Sequence, residues 1–400
     1  MSAENQRRLL ILGIVILAAL LRLGIVVDAE QHWDEEDYLI AGAAFNRTLS
    51  EADWEGITEA SYNFEHPPLV KFLYGLTYDP AERDRLLNSI DLDTFAATGK
   101  RIARQDISLP RARLQSVTAG TLTVLAVAVI SPIGGFVLAI VSIHMFYSSL
   151  ALLDALPLLF LTLMAIAYQR YHRHRQPAAL FWVSAIFFGI AGAGKYPFAI
   201  AGVALLAHAL VYRHQRLLAL IGWGLLAIAV FFILNPYLWP QPIERLEDQL
   251  TYHREYAENK SDYHDYMTRV NQLLYPARTW HDRGPDYPFI VPVDAAIFIF
   301  AIPGTVILLR QRSYFGWWLV VGFVFLTVWR SQWLQHNMII MTPYAISAGT
   351  GLSWAWRHFR RWVLSSMPFR EDEHIKQRED PLSRPSQGTG SHEAGREYPS

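Results

Sequence analysis

The chain of 400 residues has no cysteine. That excludes disulfides, a thiol nucleophile and thiolate-ligated metal sites, and it leaves the redox compartment unread. Charge is scarce as well. Asp, Glu, Lys and Arg make up 18% of the residues, against roughly 25% in soluble proteins. The two signs nearly cancel, at a formal net charge of -1. The positive excess of a nucleic-acid binder is therefore missing. No internal repeat is visible. What is present is apolar: 52% of residues are hydrophobic and 13% aromatic.

The apolar residues fall in runs. A spanning helix needs about 20 apolar residues, within about 17–25. Ten runs approach that length: Leu9–Val27, Leu114–Ile130, Ile133–Ser149, Ala151–Tyr168, Ala179–Gly194, Phe198–Tyr212, Leu217–Leu234, Val291–Leu309, Tyr314–Trp329 and Met338–Trp356. The boundary at Ser148-Ser149 is the weakest of them. The first run reads as a retained helix. Its apolar stretch exceeds that of a signal peptide, and Val26-Val27-Asp28-Ala29-Glu30 makes a poor cleavage site. The chain therefore reads as an all-α integral membrane protein with about ten transmembrane helices.

Basic residues test that count, because cytoplasmic loops carry the excess of Lys and Arg. With Arg7 and Arg8 inside, alternation puts Arg170, Arg173, Arg175, Arg213, Arg216, Arg310, Arg312, Arg357, Arg360 and Arg361 inside too. The short outer turns keep only Lys195 and Arg330. Both termini are then cytoplasmic in a multi-pass plasma or endoplasmic reticulum membrane. Residues 1–356 form the membrane domain, and 357–400 read as a disordered cytoplasmic tail. Two large segments, 28–113 and 235–290, lie outside. Ile243–Leu250 suits an amphipathic helix on the membrane surface, and Val70–Tyr78 suits another.

The first outer segment holds two acidic clusters. Trp33-Asp34-Glu35-Glu36-Asp37-Tyr38 follows the first span, and Phe64-Glu65-His66-Pro67-Pro68-Leu69-Val70-Lys71 comes soon after. A carboxylate at the interface, partly out of water, suits general-base work, although a solvated acidic cap would look the same. The two prolines read as an extended turn that holds Glu65 and His66 at the surface. Asp154 stands at the outer end of an apolar run, where an ionisable residue points to function. It reads as a helix cap, as an acceptor-positioning group, or as a partner of Asp34 and Glu65 around a divalent metal such as Mg, Mn or Zn. Arg111, Arg113, Lys195 and Arg330 are outer-face cations that could bind a phosphate or simply anchor the interface. His253, His264, His281 and His336 match no compact metal motif and read as interfacial. Asn46-Arg47-Thr48 and Asn259-Lys260-Ser261 are N-glycosylation patterns, common by chance.

These motifs carry a resemblance. Asp34-Glu35 with His66-Pro67-Pro68-Leu69-Val70-Lys71 resembles the protein O-mannosyltransferase family (family 39). Phe64 to Leu69 resembles the Phe-Glu-x-Pro-Pro-Leu run of the related aminoarabinose transferases. The likeness extends to Arg111 or Arg113, to Leu153-Asp154-Ala155 and to Asn235-Pro236-Tyr237-Leu238-Trp239. It implies a GT-C-type fold with interfacial helices in an outer segment. It also implies transfer of mannose or a similar hexose from a polyprenyl or dolichyl phosphate to a hydroxyl or amine acceptor, on protein Ser/Thr, lipid or glycan. Asp34 would be the base, with Glu35 supporting, and Glu65 and Asp154 would complete the catalytic set. His66, Lys71, Arg111, Arg113, Lys195 and Arg330 would contact substrate. Transfer would invert the anomeric centre in one displacement. A transporter is the competing class, but transporters gather charge at the midplane, often with inverted repeats.

Overall fold

The computed structural model describes residues 1–59, 63–90, 109–174, 177–213, 215–259, 271, 273–279, 292–329 and 333–366. Every regular element among them is helical. The chain divides into two compact units, Met1–Trp356 and Arg357–Ser400. The second is described only over residues 357–366, which are helical; the rest of the expected tail lies outside the described residues.

Helix α1 (Ala3–Asp28) is followed, among the described residues of the segment 28–113, by α2 (Trp33–Ser50), α3 (Trp54–Glu59), α4 (Leu69–Gly75) and α5 (Pro80–Asn88). Then come α6 (Leu109–Ile130), α7 (Pro132–Ile140), α8 (Ser142–Tyr147), α9 (Ala155–His174), α10 (Ala179–Gly194), α11 (Ile200–Tyr212) and α12 (Leu217–Ile233). Helix α13 (Pro242–Asn259) belongs to the second outer segment, and α14 (Asp294–Arg310), α15 (Tyr314–Val328) and α16 (Met341–Ser366) close the order. Helices α9 and α10 pack as a hairpin, α12 lies against α10, and α6 lies against both α1 and α9.

Among the described residues two helices, α1 and α6, are long and apolar enough to cross a membrane, and four apolar segments of 10–17 residues accompany them. One expected span is broken. The run 133–149 ends as a helix at Ile140, and Val141 is extended before α8 begins. The last expected span starts as a 3-10 turn, Leu334–Ile340.

The distribution of polarity is that of a protein bathed in lipid. Leu9, Leu12, Ile16 and Leu20 of α1, Leu218, Leu225 and Ile228 of α12, and Ile299 and Ile302 of α14 face outward. Soluble proteins rarely expose such contiguous apolar faces. Polar groups turn inward instead. Thr162 and Thr342 hydroxyls lie 2.7 Å apart, Trp223 Nε1 donates to Ser184 Oγ at 2.9 Å, and Tyr314 OH donates to the Ala201 carbonyl at 2.7 Å. With no water nearby, inward hydrogen bonds are the way to satisfy such groups.

The outer segment is held tightly to itself. Helices α2 and α4 cross at Gly42 and Gly75. A Cβ at Gly42 would sit 2.6 Å from the Lys71 carbonyl oxygen and 2.9 Å from Gly75 N. Only glycine lets the backbones approach this closely, and the crossing brings Lys71 beside α2. The surface helix expected at 243–250 is the first half of α13, with Ile243 and Leu250 exposed.

Candidate functional site

The first acidic cluster is the opening turn of α2, not a loop. His32 caps it: the His32 Nδ1 accepts from Asp34 N at 3.2 Å, and His32 N donates to Glu35 Oε2 at 2.8 Å. Successive residues on a helix point about 100° apart, so neighbouring Asp34 and Glu35 meet different surroundings. Glu35 is fully buried. Its Oε1 accepts from Arg113 Nε at 2.8 Å and from Ala151 N at 2.7 Å, and its Oε2 accepts from Arg113 at 2.7 Å as well as from His32. A carboxylate with four donors and no exposure is a strut. Asp34 is half-buried, and its Oδ2 meets Gln335 Nε2 at a long 3.4 Å.

Arg113 was expected to grip phosphate. In the structure all five guanidinium protons are committed. Besides Glu35 they go to the carbonyls of Val26 at 3.2 Å, Ala29 at 2.7 Å and Glu30 at 2.7 Å. No donor remains for a ligand, so Arg113 latches α6 onto the end of α1. Arg111 is placed elsewhere as well: it is exposed and pairs with Asp79 at 3.7 Å and Glu82 at 3.4 Å around α5. Arg330, His264 and His281 lie outside the described residues.

The second cluster begins at Asn63, which adopts a left-handed φ of 51°. Asparagine tolerates that conformation better than most residues. Its amide donates to Glu65 Oε1 at 2.6 Å. Lys71 Nζ donates to the carbonyls of Asn63 at 2.6 Å and His66 at 2.7 Å, so a buried ammonium braces the turn. The second proline departs from the extended turn that was expected. Pro68 is αR and sits directly before α4. Proline suits the entry to a helix, where its missing N–H is not needed.

Asp154 stands immediately before α9, and Lys195 directly after α10. In an antiparallel hairpin the start of one helix adjoins the end of the other, so the two meet. Lys195 Nζ donates to both Asp154 oxygens, at 2.8 and 2.9 Å, with both side chains buried. The ammonium thus occupies the place a cation would take on Asp154. Among the described residues no group of three or more His, Asp or Glu side chains is arranged to hold a metal ion.

Two rings organise the charges. Burial, together with Asp34, Asp154, Glu65 and Asp37, pushes the Tyr38 phenol well above its usual value. Burial, together with His253, Lys195, Lys71 and His336, holds the His66 imidazole well below its usual value. The Tyr38 and His66 rings meet edge to face at 5.8 Å. Carboxylates and cations interleave around this contact: Lys195 pairs with Asp154, and Lys71 opposes Glu65. Burial raises the proton affinity of Glu65 against the opposing pull of Lys71. The same burial lowers that of Lys71. His253, expected to be an interfacial histidine, comes from α13 and joins the cluster: its Nε2 contacts the Glu65 carbonyl at 2.8 Å and its ring lies 5.3 Å from that of His66. Its place in a charged, amphipathic helix was the available signal.

No family model matches the chain, and no curated protein matches it. Solved structures do. ArnT from Cupriavidus metallidurans in the apo state matches at a TM-score of 0.53 with 15% identity, over 91% of this chain and 64% of that one. The same ArnT bound to undecaprenyl phosphate matches at a TM-score of 0.52 with 14% identity. An oligosaccharyltransferase from Archaeoglobus fulgidus in the apo form is a looser match, at a TM-score of 0.47 and 14% identity, over 89% of this chain and 52% of that one. The chain spans just under two thirds of the ArnT length. Its fold is that of the membrane GT-C proteins, as the motifs led one to expect.

Proposed function

We propose that the chain is an integral-membrane glycosyltransferase taking its sugar from a polyprenyl-phosphate carrier. The observation that carries this reading is a set of carboxylates with buried cations against them: Asp34 in the opening turn of α2, Asp154 paired with buried Lys195, and the Glu65 turn braced by buried Lys71. A glycosyl phosphate donor needs both: a carboxylate to take the acceptor proton, and positive charge facing the phosphate. The fold shared with ArnT, solved with undecaprenyl phosphate bound, supports the lipid-phosphate class of donor.

Asp34 is the base in this reading, because it is the least committed carboxylate of the set. It takes the proton from the acceptor hydroxyl or amine. The acceptor atom then forms its bond to the anomeric carbon while the carbon–oxygen bond to phosphate breaks. The electron pair leaves with the polyprenyl phosphate, which is already stable as an anion and needs cations more than a general acid. Lys195 supplies a cation there. Two of its three N–H groups go to Asp154, which leaves one for phosphate. The sugar in this proposal is mannose or a similar hexose, and the site faces the outer side of a plasma or endoplasmic reticulum membrane.

Purified protein incubated with a polyprenyl-phosphate sugar is expected to release polyprenyl phosphate, faster once a suitable acceptor is present. Asp34→Asn with full transfer activity would overturn the assignment of the base. Absence of any release from a panel of such donors would overturn the reaction itself.

A further inference from the structure

Helix α1 carries a buried cation in the middle of its apolar run. Arg22 is fully buried. Its Nε donates to Ser148 Oγ at 2.8 Å. One terminal nitrogen donates to the carbonyls of Ala18 at 2.9 Å and Ala139 at 3.4 Å. The other donates to the Leu138 carbonyl at 3.4 Å and lies 2.6 Å from His144 Nδ1. Carbonyls, a hydroxyl and an imidazole hold the charge, with no carboxylate among these partners. A charge in a spanning helix is costly, and where it persists it marks function.

The partners explain the position. Leu138 and Ala139 end α7, whose last carbonyls have no intrahelical partner. A cation is favoured at that end of a helix. Arg22 thus seals the break between α7 and α8 and grips the far end of α8 through Ser148. Two further contacts hold the same stretch. Ser142 N donates to Asp294 Oδ1 at 3.0 Å, and Ala151 N donates to Glu35 Oε1 at 2.7 Å. The stretch ends at Asp154. Helix α6 makes room for the grip: a Cβ at Gly120 would lie 2.5 Å from Ser148 Cβ and 3.1 Å from Arg22 Nε.

We propose that Arg22 is a positioning residue of the transferase site, a buried cation that fixes residues 138–154 so that Asp154 meets Lys195. It touches no substrate and acts through that ion pair. The proposal rests on the glycosyl-transfer reading, so its test has one readout that needs no activity. The full-length chain in lipid nanodiscs is compared as wild type, Arg22→Met, Arg22→Lys and Ser148→Ala. Hydrogen exchange over 141–154 should speed about tenfold or more in Arg22→Met while α10 stays protected. With a polyprenyl-phosphate sugar as probe, the KM for the donor should rise about 10- to 100-fold, more than kcat falls, because Lys195 shifts. Arg22→Lys keeps the charge and should recover part of both effects. Ser148→Ala removes one contact and should move both readouts the same way by less, which keeps the test decisive if Arg22→Met does not fold. Unchanged exchange over 141–154, or a fall in kcat with an unaltered donor KM, would overturn the proposal. Faster exchange over 141–154 in Arg22→Met, alongside a wild type that transfers no sugar, would instead sink the transferase reading and leave the Arg22 grip standing.

Discussion

The acidic side of the site and the basic side are built differently. On the acidic side, two adjacent carboxylates of α2 have opposite fates: Glu35 is sealed by four donors, and Asp34 stays half-open with one long contact. On the basic side nearly every cation is spent on protein. Lys71 braces a turn, Arg113 latches α1 to α6, and Lys195 is shared with Asp154. The difference teaches that charge near the site is mostly framework. Function, in the reading proposed, is left to the few groups the framework does not consume.

The largest expected effect separates Asp34 from Glu35. General-base catalysis contributes about 10²–10⁴-fold, so Asp34→Asn should lower kcat by that range with thermal stability within about 0.5 kcal/mol of wild type. Steady-state kinetics and a thermal unfolding scan read the two quantities on one preparation. A large loss of stability in Asp34→Asn would make it a strut like its neighbour, and the contrast would fail.

Arg113→Met should do the reverse. Removing one partner of a buried ion pair typically costs about 3–5 kcal/mol. Here it leaves Glu35 charged and buried and bares three carbonyls as well. Arg113→Lys should recover little, because an ammonium has three donors where five are used. A lower unfolding midpoint for both variants is the expected outcome. Full stability of either would return Arg113 to the pool of phosphate ligands. A smaller effect awaits Gly42→Ala. Its Cβ has no room against the Lys71 carbonyl, and overpacking costs about 1–3 kcal/mol. Proteolysis of the first outer segment should speed accordingly, with α9 and α10 unaffected.

Much of this was legible in the sequence. Asp34, Glu65, His66 and Asp154 stood out by residue type and motif, and the structure sets the His66 ring against Tyr38 and Asp154 against Lys195. Their roles were not legible. Arg111 and Arg113 differ by two places on one helix, so they point to nearly opposite sides, and only the tertiary partner shows which is sealed. Asp154 and Lys195 were each read as outer polar residues. Their pairing depends on how α9 turns back along α10, which hydropathy does not record. Arg22 was passed over because one charge is lost in the average of an apolar run. The break at Val141 was hidden for a similar reason: both sides are equally apolar, and the signal is a change of backbone angle.

The smallest effect concerns the basic side alone. Burial holds both His66 and His253 below the usual imidazole value, so both are neutral at pH 7 in the folded chain. Below about pH 6.5 the unfolded chain takes up protons that the folded chain refuses. Stability from these groups is therefore full above that value and falls as pH drops toward their folded values. Both imidazoles are part-buried and so partly screened, and the loss should be small and grow as pH falls from 7.5 to 5.5. The loss should be local, because the His253 contact with the Glu65 carbonyl ties α13 to the turn that carries Glu65. The difference in unfolding midpoint between pH 7.5 and 5.5 should shrink in a His66→Gln, His253→Gln double variant. If the double variant keeps the full wild-type pH response, the basic side is no more sensitive to acid than the rest of the fold.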